Sequence, residues 1–179
     1  MEELQPRQKR LLNDNKSMER LRDQSNGMLN FSVDQSYQKY KVTISGIEAL
    51  VGYSSFEKKQ QHVFTIELQP EYPTKSPLVM FENTIFHPNW RQDGLFCYGR
   101  DWTNNTSLRE FVIDIVRMMQ YEIVNNDSPW NLPAKNWYLN NNENIYNIIK
   151  HIKFPLSIDE ADTLDIFEPV EEKDELVLL

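Results

Sequence analysis

Cys97 is the only cysteine in the chain and stands eight residues after Asn89, in the run His87-Pro88-Asn89-Trp90-Arg91-Gln92-Asp93-Gly94-Leu95-Phe96-Cys97. A thiolate is a potent nucleophile at neutral pH, and a side-chain amide can hydrogen-bond an anionic oxygen. Together they have the makings of an acyl-thioester site. Taken alone, a single cysteine more often fills a core position as a small apolar residue. Its setting argues for exposure: Gly94 and Gly99 flank it, no strand or helix period runs through the segment, and His-Pro-Asn reads as a turn. An irregular exposed loop is expected there.

Other chemistries fit less well. The three histidines, His62, His87 and His151, have no spacing to Cys97 that marks a Cys-His protease. There is no Cys-x-x-Cys or His-x-x-x-His pair of the kind structural zinc takes, and no metal site is expected. With five glycines in the chain, no glycine-rich phosphate loop is present and no cofactor is expected.

A chain of 179 residues suits one domain with a tail. One cysteine permits no internal disulfide, and neither a signal-peptide pattern nor a membrane-length apolar run is seen, so a reducing, cytosolic setting and no membrane partner are expected. The net charge of −8 belongs to the C-terminal end. Residues 159–179 hold nine acids against Lys173 alone, which leaves the rest neutral. The expected organisation is a body over residues 1–156 and an acidic tail over 157–179. A neutral body with an acidic tail disfavours nucleic acid. Within the tail, Ile166-Phe167 and Leu176-Val177-Leu178-Leu179 interrupt the acids, so it reads either as a solvated extension or as a partner-binding segment.

The elements that must position Cys97 follow from periodicity. Leu4, Leu11 and Met18 recur every seven residues, with Leu21 beyond, among Arg7, Lys9, Arg10, Lys16, Arg20 and Arg22. This predicts an N-terminal helix with a narrow apolar face and a basic exposed surface, ended near Asn26-Gly27. Strands are expected at 29–33, through Tyr40, Val42 and Ile44 up to Gly46, through Phe64, Ile66 and Leu68, and at 78–81. Their short links favour an antiparallel meander, and 48–61 reads as a longer polar connection. Ser107-Leu108-Arg109-Glu110 fits a capping box, followed by Leu108, Val112, Ile115, Val116, Met119 and Ile123 on one helical face. Ile145, Ile148, Ile149 and Ile152 suggest a last helix bounded by Pro155. The fold class is α+β.

The run from His62 to Phe81, containing Tyr72-Pro73-Thr74-Lys75-Ser76-Pro77, followed by His87-Pro88-Asn89 and then Cys97, resembles ubiquitin-conjugating enzymes. That family carries an apolar strand, a Tyr-Pro-x-x-x-Pro turn, a strand ending in Phe, His-Pro-Asn, and a catalytic cysteine eight residues after the asparagine. The resemblance extends over about residues 4–153 through Trp102, the capped helix, and Asn126-Asp127-Ser128-Pro129-Trp130-Asn131-Leu132-Pro133-Ala134, similar to the family's crossover and following helix.

The resemblance implies a four-stranded antiparallel meander with N-terminal, central and C-terminal helices. It implies that Cys97 accepts ubiquitin or a ubiquitin-like protein from an activating enzyme as a thioester and passes it to an amine on a target protein. Asn89 would stabilise the oxyanion during aminolysis, a donor whose loss typically costs ~3 kcal/mol, or hold the neighbouring loop. Ser128 occupies the position before the crossover proline where the family has Asp or Ser; beside it Asp127 would hold the acceptor ammonium, and the alternative is that Asp127-Ser128-Pro129 is simply a turn. His87, Pro88, Tyr72, Pro73 and Trp102 would form the structural frame, with Tyr98 and Trp102 either walling the site or filling core. Arg7, Arg10 and Arg20 on the basic helix would meet the activating enzyme. Thr74 replaces a large apolar residue used in ligase contact, Thr103-Asn104-Asn105 replaces Ser-Pro-Ala, and Tyr98-Gly99-Arg100 replaces an apolar-acidic run. These departures are similar to the conjugating enzymes of bacterial ubiquitin-like conjugation operons of antiphage defence. A non-catalytic binding module of the same fold is the alternative, and such modules generally lack the cysteine.

Overall fold

The structure, a computed structural model, describes residues 4–52, 57–98 and 101–155. The acidic tail, Gly99 and Arg100 lie outside the described residues. Helix α1 (Pro6–Gln24) leads into a sheet of β1 (Leu29–Val33), β2 (Lys39–Val51), β3 (Glu57–Glu67) and β4 (Leu78–Phe81), hydrogen-bonded in that order and antiparallel throughout. Helices α2 (Leu108–Met119) and α3 (Leu132–Asn141), a single 3-10 turn over Asn142–Asn144, and the short α4 (Ile145–Ile148) follow. This is the expected α+β meander. No helix among the described residues is long and apolar enough to cross a membrane.

One face of the sheet is buried. Tyr40, Val42 and Ile44 on β2, Phe64 and Ile66 on β3, and Val79 and Phe81 on β4 alternate inward, and the α2 residues Leu108, Phe111, Val112 and Ile115 close over them. The capping box is formed: Ser107 Oγ accepts from the Glu110 N–H at 3.2 Å and Glu110 Oε2 accepts from the Ser107 N–H at 2.8 Å. These bonds satisfy donors that the first helical turn leaves unpaired.

Three expectations are corrected. Leu4 precedes α1 and is exposed, so the apolar face of α1 is Leu11, Met18 and Leu21. The supposed connection over 48–61 is mostly strand, because Gly46, at φ 82°, sits in a bulge after which Ala49, Leu50 and Val51 pair with Lys59, Lys58 and Glu57. The bulge breaks the alternation that sequence reading relies on, and the facing half of β3 is exposed and polar. The last helix is a single turn: Ile149 is extended, the Lys150 N–H donates to Glu48 Oε1 at 3.0 Å and the Ile152 N–H to Gln120 Oε1 at 2.7 Å. Side-chain acceptors have replaced helical carbonyls.

Helix α1 is bolted to the body by a node absent from the sequence reading. Asp14, 3 % exposed, accepts from Tyr72 Oη at 2.5 Å and Arg10 Nε at 2.7 Å on one oxygen, and from the Leu108 N–H at 3.0 Å on the other. The last bond places a carboxylate at the N-terminus of α2, where the helix dipole favours it. Burial works against the Arg10 charge, but Asp14 and Tyr72 more than offset it and hold its pKa above the ordinary value. Removing one partner from such a pair strands the other: Asp14→Ala is expected to lower unfolding free energy by about 3 kcal/mol, measured by urea denaturation.

Candidate active site

Residues 87–97 form a loop without regular strand or helix, as expected, but a tight one that is buried over 87–90. The Arg91 N–H donates to Leu95 O at 2.8 Å, the Gly94 N–H to Arg91 O at 3.0 Å, and Trp90 bridges Phe96. Gly94 is required here: its φ is 90°, and a Cβ would lie 2.3 Å from Phe81 O. Trp90 and Phe96 are buried against Phe81 and Phe111, so the turn is anchored by its apolar residues. Cys97 emerges from it half-buried, its N–H donating to Asn89 O at 2.9 Å.

Asn89 is fully buried and joins this turn to the 125–131 segment. Its Nδ2 donates to Asn125 O and its Oδ1 accepts from the Asn125 N–H, both at 3.0 Å. Of the two roles expected for Asn89, this geometry displays the loop-holding one. His87, equally buried, accepts from the Asn89 N–H through Nδ1 at 3.1 Å and donates from Nε2 to Ile123 O at 3.2 Å. Burial lowers its pKa to about 3, so the imidazole is neutral and carries no proton toward the thiol. Pro88 O accepts from the N–H groups of Trp130 and Asn131 at 2.8 and 3.0 Å. The whole His-Pro-Asn turn is therefore a clamp on the segment that follows α2.

That segment carries Asp127 and Ser128. Asn125 Oδ1 accepts from the N–H groups of Asp127 at 2.9 Å and Ser128 at 3.3 Å, which makes a turn and leaves both side chains exposed. Tyr72 and Pro73 meet Trp102, whose ring lies 6.0 Å from that of Tyr72 and whose Nε1 donates to Pro73 O at 2.7 Å. Tyr98 stacks edge-on against Phe111 and Trp102 and donates from Oη to Asp114 at 2.7 Å. Both aromatics are packing residues.

The docking role expected of Arg7 and Arg10 meets a different use. Arg7 Nη2 donates to Gln38 Oε1, Leu68 O and Gln69 O, and Arg10 donates to Asn104 O and Thr106 O besides Asp14 and Tyr72. Both hold α1 to the body. Lys9, Lys16 and Arg20 are exposed, and at 100° per residue they fall within roughly 40° of one another on one helical face.

The residues matching the family model described as ubiquitin-conjugating enzyme are 10–152, most of the chain. The chain belongs to the ubiquitin-conjugating enzyme family. Among curated relatives, it is 40% identical over 68 residues to ubiquitin conjugating enzyme E2 B of Dictyostelium discoideum, a match covering 36% of this chain and 41% of that one. The chain thus spans about two fifths of that relative's length. Solved ubiquitin-conjugating folds superpose over most of it. Ubc12 of S. cerevisiae matches with a TM-score of 0.58 at 20% identity, covering 83% of this chain and 80% of that one. A Trypanosoma cruzi protein described as a putative ubiquitin conjugating enzyme gives 0.58 at 15% identity, covering 84% and 100%. At these identities the likeness is one of fold.

Within that family frame, Asp14, Asn125 and Lys135 are the residues that sequence reasoning missed. Lys135 Nζ donates to Asn126 O at 2.8 Å. Each makes a bond between a side chain and a backbone group nine or more residues away, and no spacing rule announces such a bond. Among the described residues no group of His, Cys, Asp and Glu could hold a metal ion.

Among the described residues, burial is what shifts the thiol, and it pushes the Cys97 pKa above its ordinary value. A raised pKa keeps the thiolate a minor species below it, so alkylation of Cys97 by iodoacetamide should rise about tenfold per pH unit from 7 to 8.5 with no plateau, followed by mass spectrometry.

Proposed function

We propose that Cys97 carries ubiquitin or a ubiquitin-like protein as a thioester and releases it to an amine on a target protein. The observation that carries this reading is the half-buried Cys97 held by its own N–H on Asn89 O, in a clamp that also presents Asp127 and Ser128. In loading, the Cys97 thiolate attacks the carrier's thioester carbonyl, a new C–S bond forms, and the activating enzyme's thiolate leaves. In transfer, the acceptor nitrogen attacks that carbonyl, the C–N bond forms, the C–S bond breaks, and the Cys97 thiolate departs as the amine yields a proton to Asp127 or water. Exchange between two thioesters is close to balanced and needs no strong base, which suits a site whose histidine is neutral and buried.

Several features support a finer placement near the conjugating enzymes of bacterial ubiquitin-like conjugation operons. Thr74, Thr103, Asn104 and Asn105 are exposed and polar where ligase-dependent members show apolar contacts, which fits a protein that acts without an ordinary ligase. A neutral body suits protein partners, and a cytoplasmic location accords with a lone thiol. The reading of a non-catalytic module has no observation in its favour.

With activating enzyme, ATP and carrier, the wild-type chain should form a reductant-sensitive adduct on gels; Cys97→Ser should give a reductant-resistant ester and Cys97→Ala none. A labile adduct surviving in Cys97→Ala would sink the proposal. The exposed basic stripe of α1 is the proposed approach for the activating enzyme. Reversing Lys9, Lys16 and Arg20 to Glu should slow loading roughly tenfold at low salt, with unchanged thermal stability; equal loading would remove that role.

A further inference from the structure

The peptide unit joining Asn126 to Asp127 is held at both of its polar ends. Its N–H donates to Asn125 Oδ1 at 2.9 Å, and its carbonyl accepts from Lys135 Nζ at 2.8 Å. Because a peptide unit is planar, fixing both ends fixes the plane and places the Asp127 Cα, from which the side chain leaves. One end leads back to the thiol. Asn125 is bonded through both its N–H and its carbonyl to the Asn89 amide, and Asn89 O takes the Cys97 N–H.

The other end depends on α3. Asn131 caps that helix, its Oδ1 accepting from the Ala134 N–H at 3.1 Å, while the Trp130 and Asn131 N–H groups rest on Pro88 O. Ala134 is fully buried among Leu50, Phe86, Tyr121, Ile145 and Ile149, which sets the rotation of the helix. Lys135, the next residue, is thereby aimed across the turn. We infer that Lys135 is a positioning residue for amine transfer: its ammonium locks the Asn126–Asp127 peptide so that the Asp127 carboxylate faces the acceptor amine. A charged donor to a carbonyl makes a stronger bond than a neutral one, and an apolar side chain of the same length leaves the peptide held at its N–H end alone. Thiol loading involves no acceptor amine, so Lys135 acts in the second half of the reaction alone.

This inference rests on the function proposed above, and a test on the full chain separates the two. Cys97 is acylated with the acetyl-Gly-Gly thioester of 2-mercaptoethanesulfonate and discharged to free lysine in single turnovers read by mass spectrometry. Lys135→Met, which keeps the aliphatic stem, should acylate within about twofold of wild type while its limiting discharge rate at saturating lysine falls roughly tenfold, with the half-saturating lysine concentration little changed. Lys135→Arg, which keeps a charged donor, should recover most of the rate. If Lys135 acts through Asp127, adding Lys135→Met to Asp127→Ala should cost less than about twofold more. Wild-type discharge in Lys135→Met, failure of the arginine variant to recover, or losses that multiply in the double variant would overturn the assignment. A wild-type chain that takes no acyl group on Cys97 would remove the proposed function itself.

Discussion

The arrangement around Cys97 depends on one buried amide. Asn89 bonds both backbone groups of Asn125 through its side chain and the Cys97 N–H through its own carbonyl, so three segments meet at a residue with no solvent exposure. A buried amide left without partners carries a desolvation cost of ~1–3 kcal/mol, so this pairing is strongly specified once the surrounding core forms. The core in question is aromatic: Trp90 lies against Phe81, Phe96 and the His87 ring, and these contacts hold the turn from which Asn89 reaches across. One Nδ2 hydrogen is used by Asn125, so the structural role occupies only part of the amide's donor capacity.

The electrostatics match a relay more than an activated nucleophile. His87 is locked in one tautomer by the Asn89 N–H and Ile123 O, and burial keeps it neutral. Partial burial raises the Cys97 pKa. A thiol of this kind is a competent attacking and leaving group in exchange between thioesters, and it is a slower target for adventitious reaction than a stabilised thiolate. In the proposed transfer, the exposed Asp127 carboxylate would meet the incoming ammonium.

Strands β1 and β4, the start of α2 and the reversal of the chain at Asn26-Gly27 were legible, because in each a local signal and the tertiary demand agree: short apolar runs, a capping box, and a positive φ at 51° and 82°. The face expected to run on to Ile123 stops with α2 at Met119. The far half of the β2–β3 hairpin was hidden by the Gly46 bulge, which changes the burial period in the middle of β2. The isoleucines after Asn144 kept helical spacing but only one turn of helix, since Glu48 and Gln120 supply acceptors that compete with it. Arg7 and Arg10 looked like surface charge because nothing in a sequence distinguishes an arginine in water from one bonded to distant carbonyls.

The sequence by itself determined the fold class and the chemistry on offer: one thiol, in register with His-Pro-Asn and a proline turn, on an α+β chain of the ubiquitin-conjugating family. Residue type and spacing along one segment are local properties, and they survive translation into structure. Only the tertiary structure decided which role each polar residue takes. Asn89 as a loop clamp, Asp14 as the anchor of α1, and Lys135 on Asn126 O are all bonds to segments from nine to 94 residues away in sequence. Such bonds are set by how the buried aromatic and aliphatic faces bring backbone groups together, and that geometry exists only once the chain has packed.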